Sequence, residues 1–350
     1  MDSVHYIDAI EMEENSTCVV PADSQFYVGL EKWIGHLKGL LMENEASVVA
    51  VQCMAGGGKT TLALALCNDL QIREYFDNNV IFITVSESPN LKGILGTMWK
   101  KIAGRKRQEF HNLEDAHMQL KQLISRQTKQ TLLILDDVWS RADLEYLLFD
   151  GPGFKTVITT RDSSFIPTTL STQFYQLPLL CQEDALSLFC FWAFGQKSIP
   201  STANANLVNQ LLEECDGLPL ALKVIGSSLH GKSHEAWETA MRKISKGECI
   251  SDSHKKGLIR LFEITIDSLD DVAKQCFQDL GLFPEDRKIC ADALLDIWVY
   301  VRDLQWHNAF AILSELASKN LLNLSCTSGS RAAISIRNTS ELYFSQNNLM

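Results

Sequence analysis

The first half of the chain alternates between two hydrophobic patterns. Short runs of β-branched and aliphatic residues are separated by longer segments whose apolar residues recur every three or four positions. The predicted strands are at residues 47–52, 80–85, 131–135 and 156–160, and the predicted helices are at 60–68, 91–102 and 114–125. Strands and helices in this order favour a parallel, doubly wound α/β sheet with right-handed crossovers.

Helical periodicity dominates beyond Leu170, where strand-like runs become rare. Helices are predicted at residues 182–195, 206–215, 219–230, 235–244, 258–269, 272–280, 291–301 and 306–319. Short strands are predicted at residues 320–324, 333–336 and 342–344. Helices followed by a small hairpin indicate a winged helix. We therefore expect a polar leader or linker at residues 1–25, an α/β domain at 26–172, a helical domain at 173–250 and a winged-helix domain at 251–350.

The composition fits a globular protein with more than one domain. Of its 350 residues, 46% are hydrophobic and 21% are charged. No apolar run reaches the length of about 18 residues that a membrane span needs, so no integral membrane association is expected. The ten cysteines include no Cys-x-x-Cys pair, which favours reduced thiols and a cytoplasmic protein. The formal net charge of -11 would repel a phosphate backbone, so nucleic acid is not an expected partner.

A phosphate-binding motif lies between the first predicted strand and the first predicted helix. Residues 53–61 read Cys-Met-Ala-Gly-Gly-Gly-Lys-Thr-Thr and match the P-loop except at Cys53, where that motif has glycine. The residues expected to bind nucleotide phosphates are Gly56, Gly57, Gly58, Lys59, Thr60 and Thr61. The Lys59 ammonium would reach the β- and γ-phosphates, and the Thr60 hydroxyl would bind Mg²⁺. A chance glycine-rich turn is the alternative, which the strand before it and the helix after it disfavour.

Acidic and basic residues follow two other predicted strands. Asp136 and Asp137 end an apolar run at the edge where α/β sheets bind ligands. We expect Asp136 to hold Mg²⁺ and Asp137 to orient the attacking water. Arg161 ends the next strand, after a pair of threonines, and is placed to sense a γ-phosphate. The alternative for Arg161 is an ordinary surface residue that pairs with Asp162.

From Val28 to its end the chain resembles the NB-ARC nucleotide-switch module of plant intracellular immune receptors with leucine-rich repeats, in particular the helper-receptor subclass. The matching segments, in family order, are residues 28–30, 53–61, 136–139, 159–161, 177–194, 217–222 and 276–286. The resemblance implies a P-loop nucleotide-binding domain, a helical ARC1-like domain and an ARC2-like winged helix, which we expect to be truncated. It also implies that Pro219 contacts the adenine and that Val28 and Gly29 line its other side.

Some residues depart from the family pattern. Cys53 and Ala55 differ from the usual P-loop, and Asn347 and Asn348 stand where the family has a His-Asp pair. The family histidine contacts the β-phosphate of ADP, so Asn347 is the expected residue at that position. These departures put the resting state in question.

The resemblance implies a molecular switch with ADP or ATP and Mg²⁺ as cofactors. ADP would hold the domains closed, ATP would favour homo- or hetero-oligomerisation with other immune-receptor subunits, and hydrolysis would be slow, as in a regulatory ATPase. Two alternatives stay open. One is a steadily turning P-loop ATPase that needs an arginine from a partner. The other is a non-switching binding or decoy module whose regulatory contacts are lost.

Overall fold

The computed structural model describes residues 28–43, 46–104, 109–168, 171–245, 265–283, 288–326 and 332–335. The chain divides into two compact units, Met1–Pro178 and Leu179–Met350.

The first unit is built on a five-stranded sheet in the order β2-β3-β4-β1-β5. Its strands are β1 (Val48–Gln52), β2 (Val80–Thr84), β3 (Thr131–Val138), β4 (Phe154–Thr160) and β5 (Thr172–Gln176). All four neighbouring pairs are parallel. The predicted fold class, a doubly wound P-loop α/β sheet, is therefore confirmed.

Six helices accompany this sheet in the described part of the first unit. They are α1 (Glu31–Met42), α2 (Lys59–Asn68), α3 (Leu70–Tyr75), α4 (Leu91–Ile102), α5 (Leu113–Ser125) and α6 (Arg141–Leu147). Several begin at residues whose side chains cap the helix; for example, the Asn112 side chain accepts a hydrogen bond from the Asp115 amide. Helices α2, α4 and α5 agree with the sequence prediction within one residue, whereas α1, α3 and α6 were not predicted.

The core of the first unit lies around the two central strands β3 and β4, every residue of which is buried. Parallel strands covered on both faces read as continuous apolar runs. Leu133 and Leu135 of β3 belong to a cluster that also includes Met98 of α4 and Leu120 of α5. This packing fixes the ends of β3 and β4, which carry the acidic residues and Arg161.

Strand β5 was not predicted from the sequence. Its residues, Thr-Gln-Phe-Tyr-Gln, are half polar, and Phe174 is 47% exposed because β5 is an edge strand. It pairs in parallel with β1, from Val48–Thr172 to Gln52–Gln176. Strand β5 thus belongs to the first unit, which runs to Pro178, and the domain boundary at residue 172 stays a prediction.

The second unit is mainly helical. Its helices are α7 (Gln182–Phe194), α8 (Ala205–Cys215), α9 (Pro219–Leu229), α10 (His234–Ser245), α11 (Asp271–Asp279), α12 (Ala291–Val301) and α13 (Trp306–Ser318). An antiparallel sheet in the order β6-β8-β7 comprises β6 (Lys288–Cys290), β7 (Asn323–Cys326) and β8 (Ala332–Ser335). Strands β7 and β8 were predicted to within a few residues, and β6 was not.

Four predictions for the second unit stay open. The predicted strand at residues 342–344 and most of the predicted helix at 258–269 lie outside the described residues. The winged helix and the domain boundary at residue 250 remain predictions. Within the ranges that the structure describes, no helix is both long and apolar enough to cross a membrane.

Candidate nucleotide-binding site

The P-loop connects β1 to α2 at the carboxyl edge of the sheet. Gly56 and Gly58 have φ angles of 72° and 95°, a left-handed conformation that side chains other than glycine rarely adopt. Gly58 is also the residue that precedes α2. The loop backbone therefore turns directly into the start of a helix, where main-chain N–H groups favour an anion.

Cys53 fills the space beneath the loop. An ideal Cβ at Gly57 would lie only 2.2 Å from Cys53 Sγ, so a side chain at Gly57 would require this thiol to shift. Cys53 is 2% exposed, and its amide donates to the Thr160 carbonyl at 3.2 Å. Burial raises the pKa of the Cys53 thiol, which keeps it protonated. The loop is thus packed from below and needs a bare backbone at Gly57.

Lys59 is 7% exposed and lies against the inner side of the loop. Its Nζ donates to the Cys53 carbonyl at 2.7 Å and to the Met54 carbonyl at 2.9 Å. Burial lowers the pKa of the Lys59 ammonium, and the nearby carboxylates of Asp137 and Asp136 oppose this shift. A phosphate oxygen at this position would be a further partner for the buried ammonium.

Thr60, Asp136 and Thr159 form a hydrogen-bonded cluster between α2, β3 and β4. Thr60 Oγ1 donates to both oxygens of Asp136, at 3.1 Å and 2.9 Å. Thr159 Oγ1 donates to Asp136 Oδ1 at 2.7 Å. Asp136 is 1% exposed, so these hydroxyls provide the partners that a buried carboxylate requires. A hydroxyl and a carboxylate side by side are also the oxygen ligands that Mg²⁺ prefers.

A β-bulge lies at the second acidic residue. The register between β3 and β4 shifts between Leu135 and Val138, and Asp137 has a φ of 58°. Its amide donates to Thr159 Oγ1 at 2.9 Å. Bulges commonly re-aim side chains next to functional sites. Thr159 was not predicted as a site residue, although a threonine pair at the end of a buried strand was its signal.

Trp139 and Arg161 complete the site in the first unit. Asp137 Oδ2 accepts a hydrogen bond from Trp139 Nε1 at 2.9 Å. The guanidinium carbon of Arg161 lies 4.2 Å from the centroid of the Trp139 ring. Asp162 accepts from the amide and hydroxyl of Ser164, at 2.8 Å and 2.9 Å. Among the described contacts, Arg161 has an aromatic neighbour, and the Asp162 carboxylate closes a local turn with Ser164.

The other predicted site residues are placed less directly. Val28 and Gly29 come just before α1, and Gly29 has a φ of 72°. Thr61 lies in the first turn of α2. Pro219 is the first residue of α9 in the second unit, and Asn347 lies outside the described residues. Their proposed contacts with the adenine and the β-phosphate remain predictions.

The turn before Pro219 leaves no space for a side chain. Gly217 has a φ of 66°, and a Cβ there would lie 2.3 Å from the Leu180 carbonyl oxygen. The Leu180 amide donates to the Gly217 carbonyl at 2.9 Å. These contacts join the segment before α7 to the start of α9.

Comparison with known proteins agrees with this geometry. The NB-ARC domain pattern matches residues 30–198. A probable disease resistance protein of Arabidopsis thaliana is 40% identical over 318 residues, which cover 91% of this chain and 37% of that protein. The disease resistance protein ADR1 of the same plant is 37% identical over 280 residues, or 80% of this chain and 32% of ADR1. This chain thus spans about a third of the length of these relatives.

A solved structure supports the fold. A signal transduction ATPase with numerous domains (STAND) and a tetratricopeptide repeat sensor, from Pyrococcus horikoshii, superposes with a TM-score of 0.56 and 17% identity. The match covers 94% of this chain and 46% of that one. At this identity the likeness concerns the fold alone. The domain match, the relatives and the P-loop geometry support one conclusion: this chain belongs to the NB-ARC family of nucleotide-binding modules of plant disease resistance proteins.

Proposed function

We propose that the chain is the ATP/ADP switch module of a plant intracellular immune receptor that acts in the cytoplasm. ADP would stabilise a resting state, ATP would favour assembly with other receptor subunits, and slow hydrolysis would reset the module. The observation that carries this proposal is the cluster of Thr60, Asp136 and Thr159 with the Asp137 amide. This cluster joins the P-loop to both acidic residues. The groups proposed to bind phosphate and Mg²⁺ and the group proposed to orient water are therefore connected by hydrogen bonds.

The residues of the P-loop fit the phosphates of a nucleoside diphosphate. Lys59 Nζ donates to the Cys53 and Met54 carbonyls. From this position the ammonium can also donate to phosphate oxygens. Thr60 and Asp136 would hold Mg²⁺, which neutralises phosphate charge when bound. Gly57, which has no side chain, lets the main chain approach the phosphates closely.

The γ-phosphate is the only difference between the two nucleotides, so only residues near it can distinguish them. A ligand shifts a conformational equilibrium solely by its differential affinity for the two states. Asp137 and Arg161 lie at the carboxyl ends of the neighbouring strands β3 and β4. We assign Arg161 to recognition of the γ-phosphate and Asp137 to orientation of the attacking water.

Slow turnover is consistent with an arginine supplied by the same chain. P-loop switches with an arginine in cis hydrolyse nucleotide at about 10⁻² per second, far below the 1–100 per second typical of kinases. Arg161 is such a residue. A steadily turning ATPase would show much faster turnover on addition of a partner that donates a second arginine.

Identification of the nucleotide retained on the purified protein tests the proposal. We expect denaturation to release ADP in near-stoichiometric amount, and we expect the Lys59→Ala variant to be purified empty. Thermal melting with added ADP provides a second readout, since a ligand at about 100 times its Kd stabilises the folded state by about 2.7 kcal/mol. Identical melting curves with and without ADP would contradict nucleotide binding. The same conformation and oligomeric state in the ADP-loaded and the ATP-loaded protein would instead indicate a non-switching module.

A further inference from the structure

Trp139 contacts two of the groups on which the proposed function depends. Its indole N–H donates to Asp137 Oδ2 at 2.9 Å, and the Arg161 guanidinium carbon lies 4.2 Å from the centroid of its ring. Asp137 belongs to β3, whereas Arg161 immediately follows β4. One side chain therefore joins the functional ends of two neighbouring strands.

The Asp137 carboxylate is held from two directions. Its main chain is fixed by the bulge, in which its amide donates to Thr159 Oγ1 at 2.9 Å. One of its carboxylate oxygens is fixed by the Trp139 indole. Since Asp137 is only 9% exposed, little bulk water competes for this hydrogen bond. Rotation of the carboxylate is restricted, which favours a single orientation of a bound water.

Arg161 has contacts at both its main chain and its side chain. The Arg161 carbonyl accepts from Gln52 Nε2 at 3.2 Å, and Gln52 Oε1 accepts from the Ser163 hydroxyl at 2.7 Å. The side chain lies over the Trp139 ring, within the distance at which cation–π attraction is effective. An aromatic face attracts the cation without neutralising it.

We propose that Trp139 is a positioning residue that couples the Asp137 carboxylate to the Arg161 guanidinium. Orientation of the attacking water and recognition of the γ-phosphate then depend on the same indole. This inference rests on the proposed function, because the roles of Asp137 and Arg161 come from it. When either group moves, the indole transmits the displacement to the other, and a γ-phosphate held by Arg161 helps to align Asp137.

The two contacts of Trp139 require different parts of the indole and can be separated by substitution. Trp139→Phe keeps an aromatic face for Arg161 but removes the N–H donor. Trp139→Leu removes both. A matched control is Trp99→Phe in α4, because among the described residues the Trp99 indole N–H has no hydrogen-bond partner.

The experiment combines single-turnover ATP hydrolysis with titrations of ADP and a non-hydrolysable ATP analogue on the whole chain. We expect Trp139→Phe to slow hydrolysis about tenfold, because misplaced catalytic groups cost one to two orders of magnitude. Its affinities for both nucleotides should stay within about twofold of the parent's, and Trp99→Phe should match the parent. Trp139→Leu should in addition lower the ratio of ATP-analogue to ADP affinity about two- to fivefold, the size of an ordinary cation–π contact.

A double-variant cycle tests the link to Arg161. In an Arg161→Ala background, Trp139→Leu should leave the affinity ratio unchanged, because the contact is already absent. The same decrease in both backgrounds would overturn the proposed coupling. So would a Trp139→Phe variant that hydrolyses ATP at the parental rate while Asp137→Asn does not. If the parent protein neither binds nor hydrolyses nucleotide, the proposed function fails and this inference fails with it. Should Trp139→Leu not fold, the Trp139→Phe result still decides between these outcomes.

Discussion

At the scale of single residues, Cys53 and Gly57 constrain each other. The Cys53 sulfur occupies the position that a Gly57 Cβ would need. A P-loop with glycine at position 53 would leave this space open, so the requirement for a bare backbone at position 57 is stricter in this chain. The departure from the usual motif therefore changes how the loop is packed, while the loop still ends at the start of α2.

Substitution of Gly57 tests this packing. Gly57→Ala should lower the free energy of unfolding by about 1–3 kcal/mol, the usual cost of overpacking, and should weaken ADP binding. In a Cys53→Gly background the sulfur is gone, so the same substitution should cost clearly less. Urea unfolding and ADP titration of the four proteins in this cycle provide the measurement. Equal losses in both backgrounds would show that the thiol does not limit the loop.

The two neighbouring carboxylates should respond differently to loss of charge. Asp136→Asn should weaken Mg²⁺-dependent nucleotide binding, because Asp136 is the carboxylate that Thr60 contacts. Asp137→Asn should retain ATP but hydrolyse it far more slowly. Nucleotide titrations with and without Mg²⁺, followed by single-turnover hydrolysis, distinguish the two. Parental hydrolysis rates in both variants would refute the assignment.

Site residues that belong to a recognisable motif could be proposed from the sequence. Residues whose contacts depend on local backbone geometry could not. Lys59, Thr60, Asp136 and Asp137 follow from residue type and from their place at strand ends. The role of Thr159 depends on a bulge that shifts the β3–β4 register. Sequence periodicity carries no signal for such a shift, because the residues on either side stay apolar and buried.

At the scale of elements, the start of α9 depends on a turn that packs against backbone. Gly217 combines a left-handed φ with a carbonyl oxygen 2.3 Å from an ideal Cβ. Gly231, just beyond the end of α9, has the same φ of 66° but nothing within 4 Å of its Cβ position. A side chain at Gly231 would therefore cause backbone strain alone. A side chain at Gly217 would cause the same strain and a clash with the Leu180 carbonyl.

Alanine at each of these glycines gives a matched pair. Gly231→Ala should cost about 1–2 kcal/mol of the free energy of unfolding, the price of a left-handed residue with a side chain. Gly217→Ala should cost at least about 1 kcal/mol more, because the Leu180 carbonyl must also move. Urea denaturation of the whole chain, followed by circular dichroism, measures both. A Gly217→Ala protein as stable as Gly231→Ala would mean that the turn adjusts freely.

Prediction of elements succeeded where burial imposes a clear period. Strands β1 and β2 and helices α4 and α12 agree with the sequence within one residue. Strand β5 escaped because an edge strand buries little and can keep polar residues. Strand β6 has three residues, too few to establish an alternation. Both strands are stabilised by hydrogen bonds to a neighbouring strand. The local sequence does not show that this neighbour is present.

At the scale of the whole molecule, one prediction of the family resemblance concerns Pro219, the first residue of α9. If Pro219 contacts the adenine, Pro219→Ala should weaken ADP binding about tenfold, or about 1.4 kcal/mol. The affinity for inorganic pyrophosphate should not change, because it lacks the base. Alanine is well accepted at the first position of a helix, so α9 should remain intact. Isothermal titration with both ligands gives the answer, and equal ADP affinity in parent and variant would exclude the contact.

The strand order also bears on how the chain acquires its structure during synthesis. Strand β1, which leads into the P-loop, lies between β4 and β5, and the hydrogen bond from Lys155 to the Ala46 carbonyl spans 109 residues. Closing so long a loop costs entropy before any pairing rewards it, and such parallel sheets form slowly. While the ribosome is still extending the chain toward β4, the apolar β1 segment lacks its final neighbours. Until Gln176 has emerged, the β1 segment therefore exposes apolar surface that can aggregate.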